Sequence, residues 1–202
     1  MHILSNVDTF APVGGVEVST LQVCRSLESR GHTVDVLYAE DGGLRDDWAR
    51  FARRMTRVPG FTVEFARPWK RIGVLPASVL AGVRSRPDVI YLNRAEQLLW
   101  GALTGAVAHV PVVCHLRHHP FSARAVSLLG GAARQYIAVS DFIRNEWIAA
   151  GLRRERIHVV HNGVDPAVYS PATAGRRTGL RARMGIAADA RDFLLYGRLT
   201  IE

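Results

Sequence analysis

Glycines and a carboxylate follow the first apolar segment of the chain, where they could bind a ligand. The loop after residues 2–7 contains Gly14-Gly15-Val16-Glu17. Adjacent glycines let backbone N–H groups approach a phosphate or a sugar hydroxyl at a helix N-terminus. Glu17 is a candidate substrate-binding residue, and in a first helical turn it would also complement the helix dipole. The alternative is an ordinary turn between a strand and a helix.

A histidine-rich loop follows the apolar segment 111–115. His115 ends that segment and could hydrogen-bond a substrate hydroxyl or transfer a proton, so it is a candidate catalytic residue. Arg117 and His118 are candidate substrate-binding residues, although His118 and His119 would equally suit a surface loop. The spacing of the three histidines is not a usual zinc pattern, so no metal site is expected.

Two further polar residues follow other apolar segments. Arg94 comes after residues 87–92 and could hold an anionic acceptor group, or it could lie at a solvated helix start. Asn162 follows residues 157–161 and is a candidate substrate-binding residue. Motifs of P-loop hydrolases, zinc proteases, serine esterases and dinucleotide-dependent dehydrogenases are absent from the sequence.

Composition and charge limit the class of protein. The chain has 202 residues, of which 48% are hydrophobic and 22% charged, as expected for a folded globular protein. The net charge of +8 comes from arginine, since Lys70 is the only lysine, and it suits anionic ligands. A run of five like charges is absent, so no nucleic-acid partner is expected. Cys24 and Cys114 are predicted to be reduced core residues.

The beginning of the sequence bears on location. Its first residues contain neither a basic segment nor a long apolar segment of the kind found in secretory leaders, so a cytoplasmic location is expected. Apolar runs of the length of a membrane span are also absent from the sequence.

Strand-like and helix-like patterns alternate along the chain. Apolar periodicity predicts strands over 2–7, 33–39, 61–66, 87–92, 111–115, 136–139, 157–161 and 193–196, and helices over 16–30, 45–57, 75–84, 95–108, 121–131 and 141–150. Such an alternation predicts an α/β fold, Rossmann-like and doubly wound, with a mainly parallel sheet and helices on both faces. Ligands of these folds bind outside the carboxyl ends of the strands, which is where the candidate residues occur.

The predicted helix 45–57 carries arginines opposite its apolar positions. Its basic face contains Arg45, Arg50, Arg53, Arg54 and Arg57. This pattern suits an ordinary solvated helix, and it also suits contact with an anionic membrane surface. The segment 69–71 has the same two interpretations.

The end of the sequence predicts a division into domains. Residues 1–170 are expected to form one Rossmann-like domain, 171–190 a linker with a short helix, and 191–202 the first strand of a truncated second domain. A strand over 193–196 without its own sheet is expected to be disordered, to pack on the first domain, or to pair with the sheet edge of another chain, which would give a dimer.

Five sequence motifs, in this order, resemble the family 4 retaining glycosyltransferases of GT-B fold. They are Gly14-Gly15-Val16-Glu17, Gly31-His32, Val139-Ser140 through Arg144 with Gly151, His161-Asn162-Gly163-Val164-Asp165 with Tyr169 and Pro171, and Gly197-Arg198-Leu199. The resemblance spans essentially the whole chain and implies the N-terminal, acceptor-side half of such an enzyme.

The resemblance implies a role for several residues. Gly14 and Gly15 would line the cleft near the donor diphosphate, His115 would contact the donor sugar, and Arg198 would hold the diphosphate. It also implies a nucleotide-sugar co-substrate, no metal or other cofactor, and an acceptor that is a small molecule, a glycan or a lipid. Because the donor-facing segment of the family is missing after Glu202, the chain alone is expected to be inactive.

Two other functions remain compatible with the sequence. The chain could be a non-catalytic module that binds a glycan or a lipid, or a peripheral membrane protein that uses its basic residues. Neither of these two proteins would transfer a sugar, which distinguishes both from the glycosyltransferase that the resemblance implies.

The role of Arg198 gives a testable prediction. In the enzyme that contains both domains, Arg198→Ala is expected to cost about 2–4 kcal/mol of transition-state stabilisation, because charge develops on the leaving diphosphate. Steady-state kinetics of the variant measure this loss. Turnover at the wild-type rate would show that Arg198 does not hold the diphosphate.

Overall fold

The computed structural model of the chain describes residues 1–62, 73–120, 122–167, 169–187 and 189–193. The strands in these ranges are β1 (His2–Thr9), β2 (Thr33–Glu40), β3 (Arg54–Arg57), β4 (Val89–Leu92), β5 (Val112–Leu116), β6 (Gln135–Ala138) and β7 (Ile157–Val159). The α-helices are α1 (Gly15–Glu28), α2 (Arg45–Ala49), α3 (Val74–Arg84), α4 (Leu98–Ala108), α5 (Ala123–Leu129), α6 (Asp141–Ala149) and α7 (Ala174–Arg183).

The seven strands form one parallel sheet in the order β3-β2-β1-β4-β5-β6-β7. The chain winds outward from β1 to β3, then crosses back so that β4 pairs with the free side of β1. The order therefore reverses between β1 and β4, and the sheet is doubly wound as predicted. All of its carboxyl ends lie at one edge.

Apolar side chains cover both faces of the sheet. Neighbouring residues of a strand point to opposite faces, so Ile3 and Leu4 of β1 belong to two different core clusters. One cluster contains Cys24 of α1 and Trp48 of α2, and the other contains Trp100 of α4. Helices on both faces bury the central residues of the inner strands, while the edge strands β3 and β7 keep exposed residues. This arrangement confirms the predicted fold class.

Both cysteines are free and buried, as predicted. Burial raises the pKa of the Cys24 thiol to about 12, and it raises the pKa of the Cys114 thiol as well. The two side chains belong to different core clusters, on opposite faces of the sheet. They therefore serve as small apolar core residues.

Local signals mark several helix boundaries. Ser140 caps α6, because its hydroxyl accepts a hydrogen bond of 3.2 Å from the Ile143 N–H. Gly31 and Gly151 follow α1 and α6 with φ angles of 85° and 109°, in the left-handed region that glycine adopts without strain. The observed boundaries of these helices lie within two residues of the predicted ones.

The predicted helix 45–57 is wrong. Only Arg45–Ala49 is helical, and Arg54–Arg57 forms the edge strand β3 beside β2. The apolar positions of this segment have helical spacing, and Trp48 packs against Phe10 within the short helix. From residue 53 onward, however, the backbone forms hydrogen bonds with β2 instead of continuing the helix. Pairing with a sheet edge outweighs the weak helix preference of this segment.

The five arginines of this segment do not form one helical face, because the helix ends at Ala49, and three of them bind acidic residues. Arg45 pairs with Asp41 at 2.7 Å, Arg50 pairs with Asp47, and Arg53 makes two hydrogen bonds of 2.8 Å to the buried Asp35. A helix that would carry the membrane contact is thus not formed over 45–57. In the described part of the chain, none of the helices has the length and apolarity that a membrane span needs.

The predicted strand 61–66 falls mostly outside the described residues. Phe61 is a buried core residue that lies in no strand, and it contacts Trp100 edge to face at 5.0 Å.

The chain divides into two units, Met1–Asn162 and Gly163–Glu202. The sheet belongs to the first unit. In the second, α7 lies within the predicted linker segment and is capped by Thr173, whose hydroxyl accepts from the Arg176 N–H at 3.4 Å. The predicted strand 193–196, apart from Phe193, and the residue Arg198 lie outside the described residues.

A close approach of two loops at the carboxyl edge gives a stability prediction. A Cβ atom on Gly42 would lie 2.2 Å from the Ala11 backbone nitrogen and 2.5 Å from the Phe10 carbonyl carbon. Gly42→Ala is therefore expected to lower the free energy of unfolding by about 1–3 kcal/mol, because backbone must move. Chemical denaturation measures the change.

Gly43→Ala is the matched control for this prediction. A Cβ atom there would meet only Pro12 Cδ, at an ordinary contact distance of 3.7 Å. Equal unfolding free energies for the two variants would contradict the close approach at Gly42.

Candidate functional site

Polar side chains from several strands and from α1 meet at the carboxyl edge of the sheet, beside the point where the strand order reverses. Sites of open α/β sheets occur at this position, because loops from both halves diverge there and leave a crevice. The residues that interact there are Asp8, Glu17, Ser19, Tyr91, Arg94, Gln97, His115, Arg117 and Asn162.

An ion pair joins the start of α1 to the end of β4. Arg94 Nη2 donates to Glu17 Oε1 at 2.7 Å, and the Glu17 side chain is almost fully buried. The structure thus brings together two of the predicted substrate-binding residues, and it shows that they bind each other. A buried carboxylate needs such a partner, so Arg94 anchors the loop that contains Gly14 and Gly15.

Asp8 extends this ion pair and was not identified from the sequence. Its Oδ2 lies 3.9 Å from Arg94 Nε and accepts a 3.1 Å hydrogen bond from Gln97 Nε2. Burial raises the pKa of Asp8, and the nearby Arg94 and the hydrogen bond from Gln97 offset only part of that effect. A carboxylate near the end of the first strand was a usable signal, because this strand end lines the crevice in doubly wound sheets.

The N-terminus of α1 has no side-chain cap. Gly14 is the N-cap residue with extended backbone, and a Cβ atom on Gly15 would meet nothing within 4 Å. The first N–H groups of a helix need partners from outside the helix. A ligand oxygen could bind them, and the cleft-lining role of both glycines stays a prediction.

Arg117 is the centre of a second polar network. Its Nη1 donates to Ser19 Oγ at 2.7 Å and lies 3.5 Å from Asn162 Oδ1, while its Nη2 donates to Tyr91 Oη at 3.4 Å. The Ser19 hydroxyl in turn donates to Asn162 at 3.4 Å. The guanidinium therefore joins α1, β4 and the end of the first unit. Arg117 and Asn162 were predicted from the sequence as substrate-binding residues, whereas Ser19 and Tyr91 were not identified as residues of the site.

His115 lies beneath this network and is only 4% exposed. Its Nδ1 is 2.7 Å from Tyr91 Oη, and its Nε2 is buried without a hydrogen-bond partner among the described residues. Burial, with a smaller contribution from the charge of Arg117, lowers the pKa of His115 to about 3. The ring is therefore neutral at pH 7.

His118 and His119 are exposed, and with Arg94, Arg117 and Trp147 they line a small recess at the same edge. The backbone carbonyl of His118 accepts a 2.8 Å hydrogen bond from Trp147 Nε1, which fixes the loop. Across the described ranges of the chain, histidine, cysteine and carboxylate side chains form no group of three that could hold a metal ion.

Comparison with known proteins now identifies the family. The sequence model described as Glycosyltransferase Family 4 matches residues 13–168, which is more than half of the chain. The chain belongs to glycosyltransferase family 4. The matched range contains every residue of the two polar networks except Asp8.

Relatives of known structure share the fold of this family 4 chain. HepE from Anabaena in complex with UDP is 25% identical with a TM-score of 0.70, and the match covers 92% of this chain and 50% of that one. The structure of the same protein with UDP and glucose is 22% identical to this chain with a TM-score of 0.68, and the match again covers 92% of this chain and 50% of that one. A glycosyltransferase from Rickettsia africae is 18% identical with a TM-score of 0.68, over 93% of this chain and 50% of that one. The fold is thus the Rossmann-like half of a GT-B glycosyltransferase.

A curated relative points to the same family. The D-inositol 3-phosphate glycosyltransferase 1 of Catenulispora acidiphila is 29% identical over 164 residues, which are 79% of this chain and 36% of the relative. The chain therefore spans between about a third and a half of the length of these proteins.

The buried His115 gives a prediction for the pH dependence of stability. A folded-state pKa of about 3 lies below the unfolded value of 6.5, so between these pH values the unfolded chain binds more protons. The contribution of His115 to stability is complete above pH 6.5 and falls as the pH decreases toward 3. Denaturation of wild type and His115→Gln at several pH values between 7 and 4 should show a shallower pH dependence for the variant. Parallel curves would rule out a buried neutral His115.

Proposed function

We propose that this chain is the acceptor-side part of a glycosyltransferase that moves a sugar from a nucleotide-sugar donor to an acceptor, with retention of the anomeric configuration. Membership of family 4 and the shared GT-B fold support glycosyl transfer. The acceptor is a small molecule, a glycan or a lipid.

The observation that carries the proposal is the composition of the carboxyl edge. The uncapped N-terminus of α1, the cations Arg94 and Arg117, and the hydrogen-bonding group of His115 occur at this one edge. Hydrogen-bond donors dominate the set, and oxygen atoms of sugars and phosphates are the acceptors that such a set binds.

The bound ligands of the relatives support a nucleotide-sugar donor. The structures of HepE contain UDP, and UDP with glucose. In our proposal His115 hydrogen-bonds the donor sugar, Gly14 and Gly15 approach the diphosphate, and Glu17, Arg94, Arg117, His118 and Asn162 bind or position the substrates. Arg198 would hold the diphosphate, in keeping with the resemblance to the family.

The proposed chemistry is electrostatic. Negative charge develops on the diphosphate as the bond between sugar and phosphate breaks, and fixed donors at the site would stabilise this charge. A metal ion or organic cofactor is not part of the proposal. Because the chain spans only about half of the HepE structures, we expect the 202 residues alone to be inactive.

The proposal is tested by a transfer assay. The longest protein that the native gene encodes is incubated with UDP-, GDP- and ADP-sugars, and release of nucleotide is followed together with the product by mass spectrometry. NMR then compares the anomeric configuration of product and donor. We expect sugar transfer with retention. An inverted product would contradict retention, and an absence of product in extracts that contain native acceptors would support a binding module instead.

A substitution of Arg117 tests directly whether the carboxyl edge is the active site. Arg117→Gln is expected to lower kcat/KM by about tenfold to a hundredfold, because a charged hydrogen-bond centre that orients Ser19, Tyr91 and Asn162 is lost. Arg134→Gln, an exposed arginine on the loop before β6 at the opposite sheet edge, is the control and should keep wild-type activity. Equal activities of the two variants would remove Arg117 from the site.

A further inference from the structure

The hydroxyl of Tyr91 lies between two groups of the site. Its oxygen is 3.4 Å from Arg117 Nη2 and 2.7 Å from His115 Nδ1. A guanidinium remains protonated and can only donate hydrogen bonds. Tyr91 Oη therefore accepts a hydrogen bond from Arg117, and its single phenolic proton is left to bond with another acceptor.

Burial keeps that proton on Tyr91. Removal from water raises the pKa of the phenol well above its ordinary value, despite the opposing effect of Arg117, so Tyr91 is neutral at pH 7. Among the described residues, the contact that can accept its proton is His115 Nδ1. If Nδ1 carried a proton instead, the buried Tyr91 O–H would have no acceptor and His115 Nε2 would be an unpaired acceptor. Two buried polar groups would then be unsatisfied rather than one.

We infer that Tyr91 is a positioning residue, which holds neutral His115 in the tautomer with hydrogen on Nε2. The Nε2–H group is then the part of the ring that remains unpaired and buried. His115 thus offers a hydrogen-bond donor to an oxygen atom of the substrate, and it has no lone pair on Nε2 with which to act as a base. The contact with a sugar oxygen rests on the proposed function, whereas the tautomer does not.

Arg117 connects this tautomer to the rest of the site. The same guanidinium that donates to Tyr91 also binds Ser19 of α1 and contacts Asn162. A chain of hydrogen bonds therefore runs from the α1 helix through Arg117 and Tyr91 to the His115 ring. Each member fixes the orientation of the next, which is how second partners of a catalytic histidine ordinarily set its tautomer.

The tautomer is measured in the 202-residue chain without any ligand. Long-range ¹H–¹⁵N correlation spectra separate the two ring nitrogens of each histidine, and the signals of His115 are those that disappear in His115→Gln. We expect wild-type His115 to carry its proton on Nε2. A proton on Nδ1 would overturn the inference, and this result does not depend on the folding of the tyrosine variant described next.

Tyr91→Phe tests whether the phenol sets the tautomer, and Tyr136→Phe is its matched control. Tyr136 is a second buried tyrosine, on β6, and its hydroxyl donates to the Gly130 carbonyl at 3.1 Å instead of to a histidine. We expect Tyr91→Phe to shift His115 toward a mixture of tautomers and Tyr136→Phe to leave it unchanged. An unchanged tautomer in Tyr91→Phe would show that Tyr91 does not position the ring.

Activity of the full protein separates a donor from a base. Glutamine supplies an N–H donor but no base, so His115→Gln should keep kcat/KM within about tenfold of wild type, whereas His115→Leu should lose about a hundredfold. Equal losses in both variants would overturn the donor role. If no donor sugar is transferred at all, the proposed function fails, and the ligand-free spectra still decide the role of Tyr91.

Discussion

The parallel pairing of β1 with β4 and of β4 with β5 is the constraint on which the site depends. Parallel strands place all their carboxyl ends at one edge, so residues far apart in the sequence become neighbours there. Asn93 reinforces this junction, because its amide donates a 2.8 Å hydrogen bond to the Asn6 carbonyl, between the ends of β4 and β1. Glu17 and Arg94 can form a 2.7 Å ion pair only because this junction is fixed.

Electrostatic partners decide what each arginine does. Arg45, Arg50 and Arg53 bind Asp41, Asp47 and Asp35, so the charge of each is offset by a carboxylate of the chain itself. Arg94 is similarly bound by Glu17. Arg117 differs, since among the described residues its partners are the neutral side chains of Ser19, Tyr91 and Asn162, and no carboxylate of that part of the chain offsets its charge at the carboxyl edge. A charge of this kind attracts anionic ligands.

Burial has a comparable effect on His115. A histidine at the end of a strand could in principle donate a hydrogen bond or transfer a proton. Desolvation keeps the ring neutral at pH 7, and the Tyr91 hydroxyl occupies Nδ1. The environment of the ring therefore leaves His115 with one function, the donation of a hydrogen bond from Nε2. A site that is rich in hydrogen-bond donors suits a reaction in which negative charge develops on a leaving phosphate.

Residues whose role follows from their own local pattern were predictable from the sequence. Alternating apolar segments gave the doubly wound parallel sheet, and Ser140, Gly31 and Gly151 marked helix ends through local hydrogen bonds and backbone freedom. The candidate residues Glu17, Arg94, His115, Arg117 and Asn162 were recognisable because each lies near the end of a strand, follows one, or belongs to the first turn of the helix after one.

Tertiary structure alone decided which of these residues interact and what state they are in. The helix predicted over 45–57 was wrong because pairing with the edge of β2 is a long-range interaction that local spacing does not contain. Ser19, Tyr91 and Asp8 were missed for the same reason, since an ordinary serine, tyrosine or aspartate becomes part of a site only when its partners arrive from other strands. The sequence by itself determined the fold class and predicted the sheet edge where the candidate residues meet. The pairing of Arg94 with Glu17, the neutral partners of Arg117 and the neutral ring of His115 depend on distance and burial, which exist only in the folded chain.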